Sequence, residues 1–309
     1  MIQLYATEAE TIVDSAPEPD QTGNSGKSIH TFVISWFGKH DNADRIAKAV
    51  VPASNSVTVV YSDPGGDLSR KFFCPSIERP NDSFFSDKFR ACIDSCNADI
   101  ILIIHADCQC DHWHKIPAHC KRTIEQNPDI GVWAPRIDFS DWGLERTEID
   151  KIPDSPFSIV AQTDGIVVGL TRQVVDRMRQ VNLANNIYGW GIDLMYNYYT
   201  YSIGKISIVD RSLFVRHPDR TQYSTEAAFA EQCEFMKQLT PAERAQSAQL
   251  DAIVRLHDTI GEARTKDPTA AADAKRELAL LKQRILRGEK CREDTHADAF
   301  LRECTFMDR

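Results

Sequence analysis

The chain has 309 residues, 42% of them hydrophobic and 26% charged, with a net charge of −9. Such a balance fits a globular protein with one large domain, or one domain and an appendage. The acidic excess argues against general nucleic-acid binding, which needs a basic footprint, and no run approaches the roughly 20 apolar residues that span a bilayer.

Residues 1–28 are polar and close with "SAPEPDQTGNSGKS", which reads as a flexible tail. No basic stretch leads into an apolar core there, so no secretory signal is expected. With nine cysteines, an odd number, the expectation is reduced thiols in a cytoplasm. Ordered structure is expected from "IHTFVISWF" (29–37), a buried strand. A helix follows, with Ala43, Ile46, Ala47 and Val50 at helical spacing. "SVTVVYSD" (56–63) is a second strand, with Asp63 at its exit. Residues 81–97 predict a helix with Phe85, Phe89, Cys92 and Ile93 on one face. A strand over 99–104 then stops at a knot of polar residues: His105, Asp107, Cys108, Cys110, Asp111, His112 and His114. "HWHKIPAHCKRTIEQNP" predicts a helix and "IGVWAPRI" (130–137) another strand. That order predicts a mostly parallel sheet with helices on both faces, because parallel strands need crossover connections. Ligands in such sheets sit at the carboxyl ends of the strands, so Asp63 and His105–Asp111 are expected to share one crevice.

Further on, residues 154–181 predict a loop, a short strand and a helix. "NNIYGWGIDLMYNYYTYSIG" predicts a Gly-rich turn leading into an aromatic helix. "KISIVDRSLFVRHPDR" is a strand pair, or a strand with an extended exit. From about Thr240, two amphipathic helices are separated by "TKDPT". No internal repeat is present.

The polar knot admits three readings. Structural zinc favours C-x₂₋₄-C and H-x₃₋₅-H pairs, and the alternating Cys108, Cys110, His112, His114 string lacks that chelating turn. Acids at a strand end suit a hard divalent ion that a nucleotide diphosphate completes. The bland alternative is that Asp107 or Asp111 caps the following helix. Asp193 likewise has an N-cap reading, Asp63 is either a turn residue of "SDPGG" or an acid at a strand end facing the crevice, and Trp190 has a core-packing reading. His112, His114 and His119 read as surface or helix-face residues, and Cys108 and Cys110 as small apolar fillers.

Taken in order over roughly 29–236, these features resemble the GT-A glycosyltransferases, especially the family-2-like and galactosyltransferase-like groups. "TFVISWF" stands where the nucleotide-binding half opens, and Asp63 in "VVYSDP" where an acid contacts the base. "IIHAD" aligns with the "LLDAD" form of the DXD motif, placing His105 at the first acid and Asp107 at the second. "DGIVVGLTRQVVDRM" resembles the segment near the donor sugar, bringing in Gly165 and Arg172. "YGWGIDLMY" resembles the "GWGxED" stretch, with Asp193 as catalytic base and Trp190 and Gly191 beside the sugar or acceptor. "VRHPDRTQYS" offers His217 as a metal ligand.

The resemblance implies an α/β GT-A catalytic domain over 29–239 and a helical extension over 240–309. It also implies Mn²⁺ or Mg²⁺ held by Asp107 and His217, with His105 as a further ligand or a ribose or phosphate contact and Asp111 as a substitute; a histidine ligand tilts the choice toward manganese. Arg172 and Arg220 are the candidate phosphate contacts. The implied activity is sugar transfer from a nucleotide-diphosphate donor, a UDP-sugar favoured, to a glycan or lipid-linked acceptor, with inversion. Nucleotidyl transfer ranks lower, since "SWFGKHDNADR" has a single glycine where a phosphate loop is needed. A zinc-stabilised interaction module is the non-enzymatic rival. In the extension, Leu278, Leu280, Leu281 and Ile285 alternate with Lys282, Arg284, Arg287 and Lys290, which leaves homo-oligomer contacts or contact with the inner face of a membrane open.

Overall fold

A computed structural model describes residues 26–66, 68, 71–80, 84–218 and 223–289. Most of the expected tail (1–25), Arg220 and Lys290 lie outside the described residues. At the tail's end, Ser28 donates through its backbone N and its Oγ to Asp99 Oδ2, at 2.8 and 2.7 Å.

The strands are β1 (Ile29–Ser35), β2 (Ser56–Tyr61), β3 (Ser76–Glu78), β4 (Ile100–His105), β5 (Ile130–Ile137), β6 (Glu148–Lys151), β7 (Phe157–Val160), β8 (Val167–Thr171) and β9 (Ile206–Val215). They form one nine-stranded sheet in the order β3-β2-β1-β4-β8-β5-β9-β7-β6. The parallel arrangement expected from the sequence holds across β3-β2-β1-β4. The other half is mixed: β8 runs against both β4 and β5, and β7 against both β9 and β6. The chain reaches β8 at the rim where β4 ends, Val167 lying opposite Ile104. From that rim a strand can only run back down, and no crossover helix is needed.

Ile100 to Ile104 of β4 are fully buried, each Ile contributing about 1.5–3 kcal/mol relative to exposure. This apolar run places the polar residues that follow it at the carboxyl rim. Because β2 and β4 flank β1 on opposite sides, the rim at β1 and β4 is a topological switch point, where such sheets open a crevice.

The helices are α1 (His40–Val50), α2 (Phe85–Ser95), α3 (Lys115–Gln126), α4 (Leu144–Thr147), α5 (Arg172–Arg179), α6 (Ile192–Ser202), α7 (Thr225–Met236), α8 (Pro241–Lys266) and α9 (Pro268–Leu286). Ala43, Ile46, Ala47 and Val50 of α1 are buried, as their spacing requires. Gly169 of β8 lets α3 approach the sheet, since a Cβ there would lie 2.3 Å from Cys120 Sγ.

The C-terminal helices are built into the body of the protein. Thr240 and Glu243 form a capping box at the start of α8. Arg177 of α5 donates to both Glu243 carboxylate oxygens, at 2.6 and 2.9 Å. Burial alone would raise the Glu243 pKa, but the Arg177 bonds hold it below its ordinary value. Farther along α8, Tyr198 donates to Asp251 at 2.5 Å and Arg146 to both Asp258 oxygens at 2.8 Å. Arg177→Ala strands the buried Glu243 carboxylate, so chemical denaturation is expected to show a loss of about 3–5 kcal/mol. A loss under 1 kcal/mol would show that this pair does not anchor α8 (about the value of an exposed pair).

Helix α9 folds back on α8 through Ala271, Ala274, Leu278 and Ile285, while Leu280 points outward. Its basic residues are not a clean cationic stripe. Burial lowers the Lys282 pKa against the pull of Glu148 and Asp150, and Arg284 and Arg287 lie 3.8 and 3.7 Å from Glu289. No helix among the described residues is long and apolar enough to cross a membrane. Cys74, Cys92, Cys96, Cys108, Cys110 and Cys120 are free thiols, but Cys233 is disulfide-bonded, a departure from the all-reduced expectation.

Candidate active site

At the β2 end of the rim, Asp63 meets a residue the sequence did not single out. His40 Nε2 lies 3.4 Å from Asp63 Oδ1, and its Nδ1 is 2.8 Å from Ser35 Oγ. The backbone N of Leu68 donates to Asp63 Oδ2 at 3.2 Å. Tyr61 and Phe72 set their rings edge-on to His40. Asp63 is therefore a held carboxylate at a strand end rather than only a turn residue.

At the end of β4, His105 is clamped by backbone and by rings. Its N–H donates to Ile166 O at 3.0 Å, and Trp36 and Phe85 each lie 5.0 Å away between ring centroids. Its Nε2 is buried with no hydrogen-bond partner. Burial pushes the His105 pKa down to about 4, so the ring is neutral near pH 7. Below it, the ammonium of Lys88 sits 5.4 Å from the Trp36 ring, fully buried, and burial lowers its pKa to about 8. Lys88 shares the α2 face with Phe85 and Phe89, and that spacing was its only sequence signal.

Asp107 and His217 are 110 positions apart in the chain, yet Asp107 Oδ2 and His217 Nε2 lie 3.6 Å apart. Two devices bring them together. Asn42 donates to the carbonyls of Ala106 and Cys108 at 2.5 and 3.0 Å, which pins the exit of β4. Gln109 and Arg216 then exchange backbone hydrogen bonds at 2.9 and 2.8 Å, tying that exit to the end of β9. The backbone N of His217 also donates to Asp138 Oδ1 at 2.7 Å. Burial works against both charges, but the pairing prevails: the Asp107 pKa is lowered and that of His217 raised.

A pair of carboxylates, Asp193 and Asp164, lies along the same rim. Asp193 stands in the first turn of α6, whose N-cap is Gly191 with no side-chain cap bond, so Asp193 is not the cap. The Trp142 indole Nε1 donates to Asp193 Oδ2 at 2.6 Å. Burial, reinforced by the charge of Asp164, pushes the Asp193 pKa up to about 7. Asp164 accepts from Ser140 Oγ at 2.6 Å and from the backbone N of Ile166 at 3.2 Å. A Cβ at Gly165 would lie 3.9 Å from both Asp193 Cβ and Phe85 Cζ, which places Gly165 between the base candidate and the His105 wall.

No protein-family model and no curated protein sequence matches the chain. Solved structures do resemble it in shape. It superposes on GalNAc-T7, solved with UDP, GalNAc and Mn²⁺, at a TM-score of 0.50 and 9% identity, over 91% of this chain and 57% of that one. The chain has the GT-A glycosyltransferase fold. Weaker likenesses include the mannosyltransferase PcManGT from Pyrobaculum calidifontis in complex with GDP-Man and Mn²⁺ (TM-score 0.47, 11% identity, 89% of this chain and 88% of that one). Another is glucosyl-3-phosphoglycerate synthase from Mycobacterium tuberculosis with Mn²⁺, UDP-Glc and phosphoglyceric acid (TM-score 0.45, 11% identity, 75% and 80%).

On this GT-A frame the structure gathers Asp63, His105, Asp107, Gly165, Asp193 and His217 along the carboxyl rim. Arg172 does not join them. Thr171, its neighbour, pairs with Ile100 at the opposite end of β4, about 20 Å away by strand rise. There the Arg172 guanidinium donates to the carbonyls of Cys96 and Ala98, closing the end of α2. Its assignment to the donor phosphates is corrected accordingly: β8 runs antiparallel, so the residue after it emerges at the wrong edge.

Trp190 donates to Tyr223 OH at 2.9 Å and joins an aromatic group with Tyr188, Tyr223 and Phe84. Gly191 has φ +83 and packs against α7, a Cβ there lying 3.0 Å from Gln232 Cγ, so its part is the turn itself. Asp111, His112 and His114 are exposed. The N-cap of α3 is His114 without a side-chain cap bond, so neither Asp107 nor Asp111 caps it. Cys108 is buried as a filler, and His119 contacts Asp210 at 3.2 Å. Among the described residues no group of three or more His, Cys, Asp or Glu is arranged to hold a metal, so the zinc reading finds no ligand set there.

Gly189 turns the chain into α6 with φ +84, and a Cβ there would lie 2.5 Å from Phe85 Cδ1. Gly189→Ala is expected to cost about 1–3 kcal/mol from backbone strain and to displace Phe85 from His105. Thermal melts and the His105 imidazole NMR signals check both effects; an unchanged melt with unmoved signals would count against this packing.

Proposed function

We propose that this protein is a glycosyltransferase that moves a sugar from a nucleoside-diphosphate donor, a UDP-sugar favoured, to a hydroxyl of a glycan or lipid-linked acceptor, inverting the anomeric centre with Asp193 as base. The observation that carries this reading is a carboxylate held near neutrality, Asp193, on the same rim of a GT-A sheet as the Asp107–His217 pair.

In such a transfer the anomeric carbon acquires oxocarbenium character. A new bond forms from the acceptor oxygen to that carbon. The bond from the carbon to the diphosphate oxygen breaks, and its electron pair leaves on the diphosphate. The acceptor proton passes to the Asp193 carboxylate, whose pKa of about 7 suits a base working near neutrality. Asp63, beyond the end of β2, and His40 beside it at the start of α1 are assigned to the base or ribose. Gly165 leaves space beside Asp193 for the donor sugar, and the Trp190 group offers a flat face to a sugar or acceptor.

The residues present fit a divalent ion. Asp107 and His217 supply a converging oxygen and nitrogen; among the described residues no third His, Cys, Asp or Glu is grouped with them, so His105, neutral and buried, is assigned to the ribose or phosphate instead of the ion. This mixed donor set suits Mn²⁺ or Mg²⁺ with phosphate oxygens completing the shell. When bound there, the ion supplies Lewis-acid stabilisation to charge developing on the leaving diphosphate. The UDP and Mn²⁺ in the GalNAc-T7 structure support this choice of donor and ion.

The test is release of nucleoside diphosphate from a panel of nucleotide sugars with Mn²⁺, Mg²⁺ or a chelator. Metal-dependent release from at least one donor is expected. Silence with every donor, together with no calorimetric nucleotide binding, overturns the proposal.

A further inference from the structure

One short stretch, "DFSDW" (138–142), carries bonds to three groups of the rim. Asp138 accepts from the backbone N of His217 at 2.7 Å, Ser140 donates to Asp164 at 2.6 Å, and Trp142 donates to Asp193 at 2.6 Å. Ser140 Oγ also accepts from the backbone N of Trp142 at 3.0 Å, which fixes the indole relative to the Ser140–Asp164 bond. Phe139, between them, adopts φ 51 although it is exposed. A left-handed backbone at an aromatic residue is strained, and no burial of Phe139 offsets it. The strain persists because the bonds on either side over-determine the turn.

The far end of the stretch is tied to the C-terminal helices. Arg146 donates to Asp141 O at 2.6 Å while holding Asp258 of α8. A continuous path of hydrogen bonds thus runs from α8 through Arg146 to the loop that touches Asp193.

We infer that the loop Asp138–Trp142 is the positioning element of the site, with Trp142 a positioning residue whose indole N–H orients the Asp193 carboxylate and favours its charged form. This rests on the reading of Asp193 as the base, and it assigns the C-terminal helices a task, that of bracing the loop. An N–H donor on a carboxylate stabilises the anion. It opposes the burial and the Asp164 charge that press Asp193 toward its protonated form. The other titratable groups facing Asp193 are Tyr196 and Tyr198 of its own helix and Tyr223. Burial raises all three phenol pKa values above the ordinary one, so they stay neutral through the range in which Asp193 titrates. Asp164 and Trp142 are then the partners that set its charge.

The experiment uses Trp142→Phe in the full chain, which keeps a ring and removes the N–H. The Asp193 titration is expected to rise by about one unit, the order of a charge-assisted hydrogen bond. At pH 7 the base form then falls from about half to about a tenth, so kcat drops about fivefold and recovers by about pH 9, with KM for the donor unchanged. Two readouts need no turnover. The pH dependence of thermal stability should shift by the same unit. In the wild-type protein, one Trp indole N–H signal should titrate near pH 7 and cease to do so in Asp193→Asn. In the Asp193→Asn background, Trp142→Phe should cause no further loss of kcat. An indole signal that never titrates, or a kcat loss equal at every pH, overturns the inference. A shifted titration in a protein that turns over no nucleotide sugar supports the contact and counts against the proposed function alone.

Discussion

Asp193→Asn is expected to lower kcat about 10²–10⁴-fold, the range over which a positioned general base contributes, while nucleotide affinity stays near the wild-type value. The amide can still accept from the Trp142 indole, so the geometry survives and the proton acceptor does not. In the wild-type protein, kcat should rise with pH through about 7, as the Asp193 carboxyl ionises.

The same carboxylate sets a stability effect of opposite sense. Its pKa is raised from 3.8 to about 7 by burial and by Asp164. Between those values the folded state keeps a proton that the unfolded chain releases. That contribution is complete below about pH 4 and is lost as pH rises toward about 7. Asp193→Asn removes the loss, so at pH 8 the variant should melt at least about 2 °C higher than the wild type, a case of activity held at a cost in stability. Calorimetric melts from pH 4 to 8 check this beside the rate assay. A variant with kcat within threefold of wild type, or with the wild-type pH dependence of Tm, would remove Asp193 from the role of base.

Asp107→Asn should abolish the dependence of nucleotide binding on a divalent ion. Loss of a partner that merely orients a ligand costs about 10–100-fold in metal affinity, and loss of a ligand itself should cost more. Asp107 is the only carboxylate of the motif position, because His105 stands where the first acid is expected. His217→Ala should reproduce the effect, since the two side chains meet at 3.6 Å. Asp193→Asn should leave it intact. Isothermal calorimetry of UDP binding with and without Mn²⁺ separates the two classes of variant. Mn²⁺-enhanced UDP affinity that survives in both Asp107→Asn and His217→Ala would falsify their placement at the ion.

The first half of the fold was readable in the chain because its periods are strong. The run 100–104 is wholly apolar, the α1 face repeats at helical spacing, and each predicted strand there is followed by a helix. The short strands were not readable. β3 and β6 span Ser76–Glu78 and Glu148–Lys151, too short for a period to show, and they are strands only because a neighbour accepts their hydrogen bonds. The reversed direction of β8 was hidden for a related reason. Residues 161–166 look like any loop, and only their path across the sheet decides at which rim β8 begins. That misplaced Arg172, which follows β8 and leaves at the far edge. Asp63, Asp107, Asp193 and His217 were picked out by motif likeness, whereas His40, Lys88 and Trp142 carried no motif and lay in ordinary helix or loop sequence; Asp164 opened the "DGIVVGLTRQVVDRM" segment, but nothing in that stretch marked its carboxylate as a neighbour of Asp193.

The sequence by itself determined the α/β class, the buried β4 strand, the rim at its end and the identity of the acids and the histidine gathered there. Tertiary structure alone decided that Trp142 and Asp164 attend Asp193, that Asp193 stands near neutrality and that Arg172 is absent from the site. Periodicity reports which side of its own element a residue occupies. Contact and charge state depend on which distant elements close over that side, and on how much water they exclude.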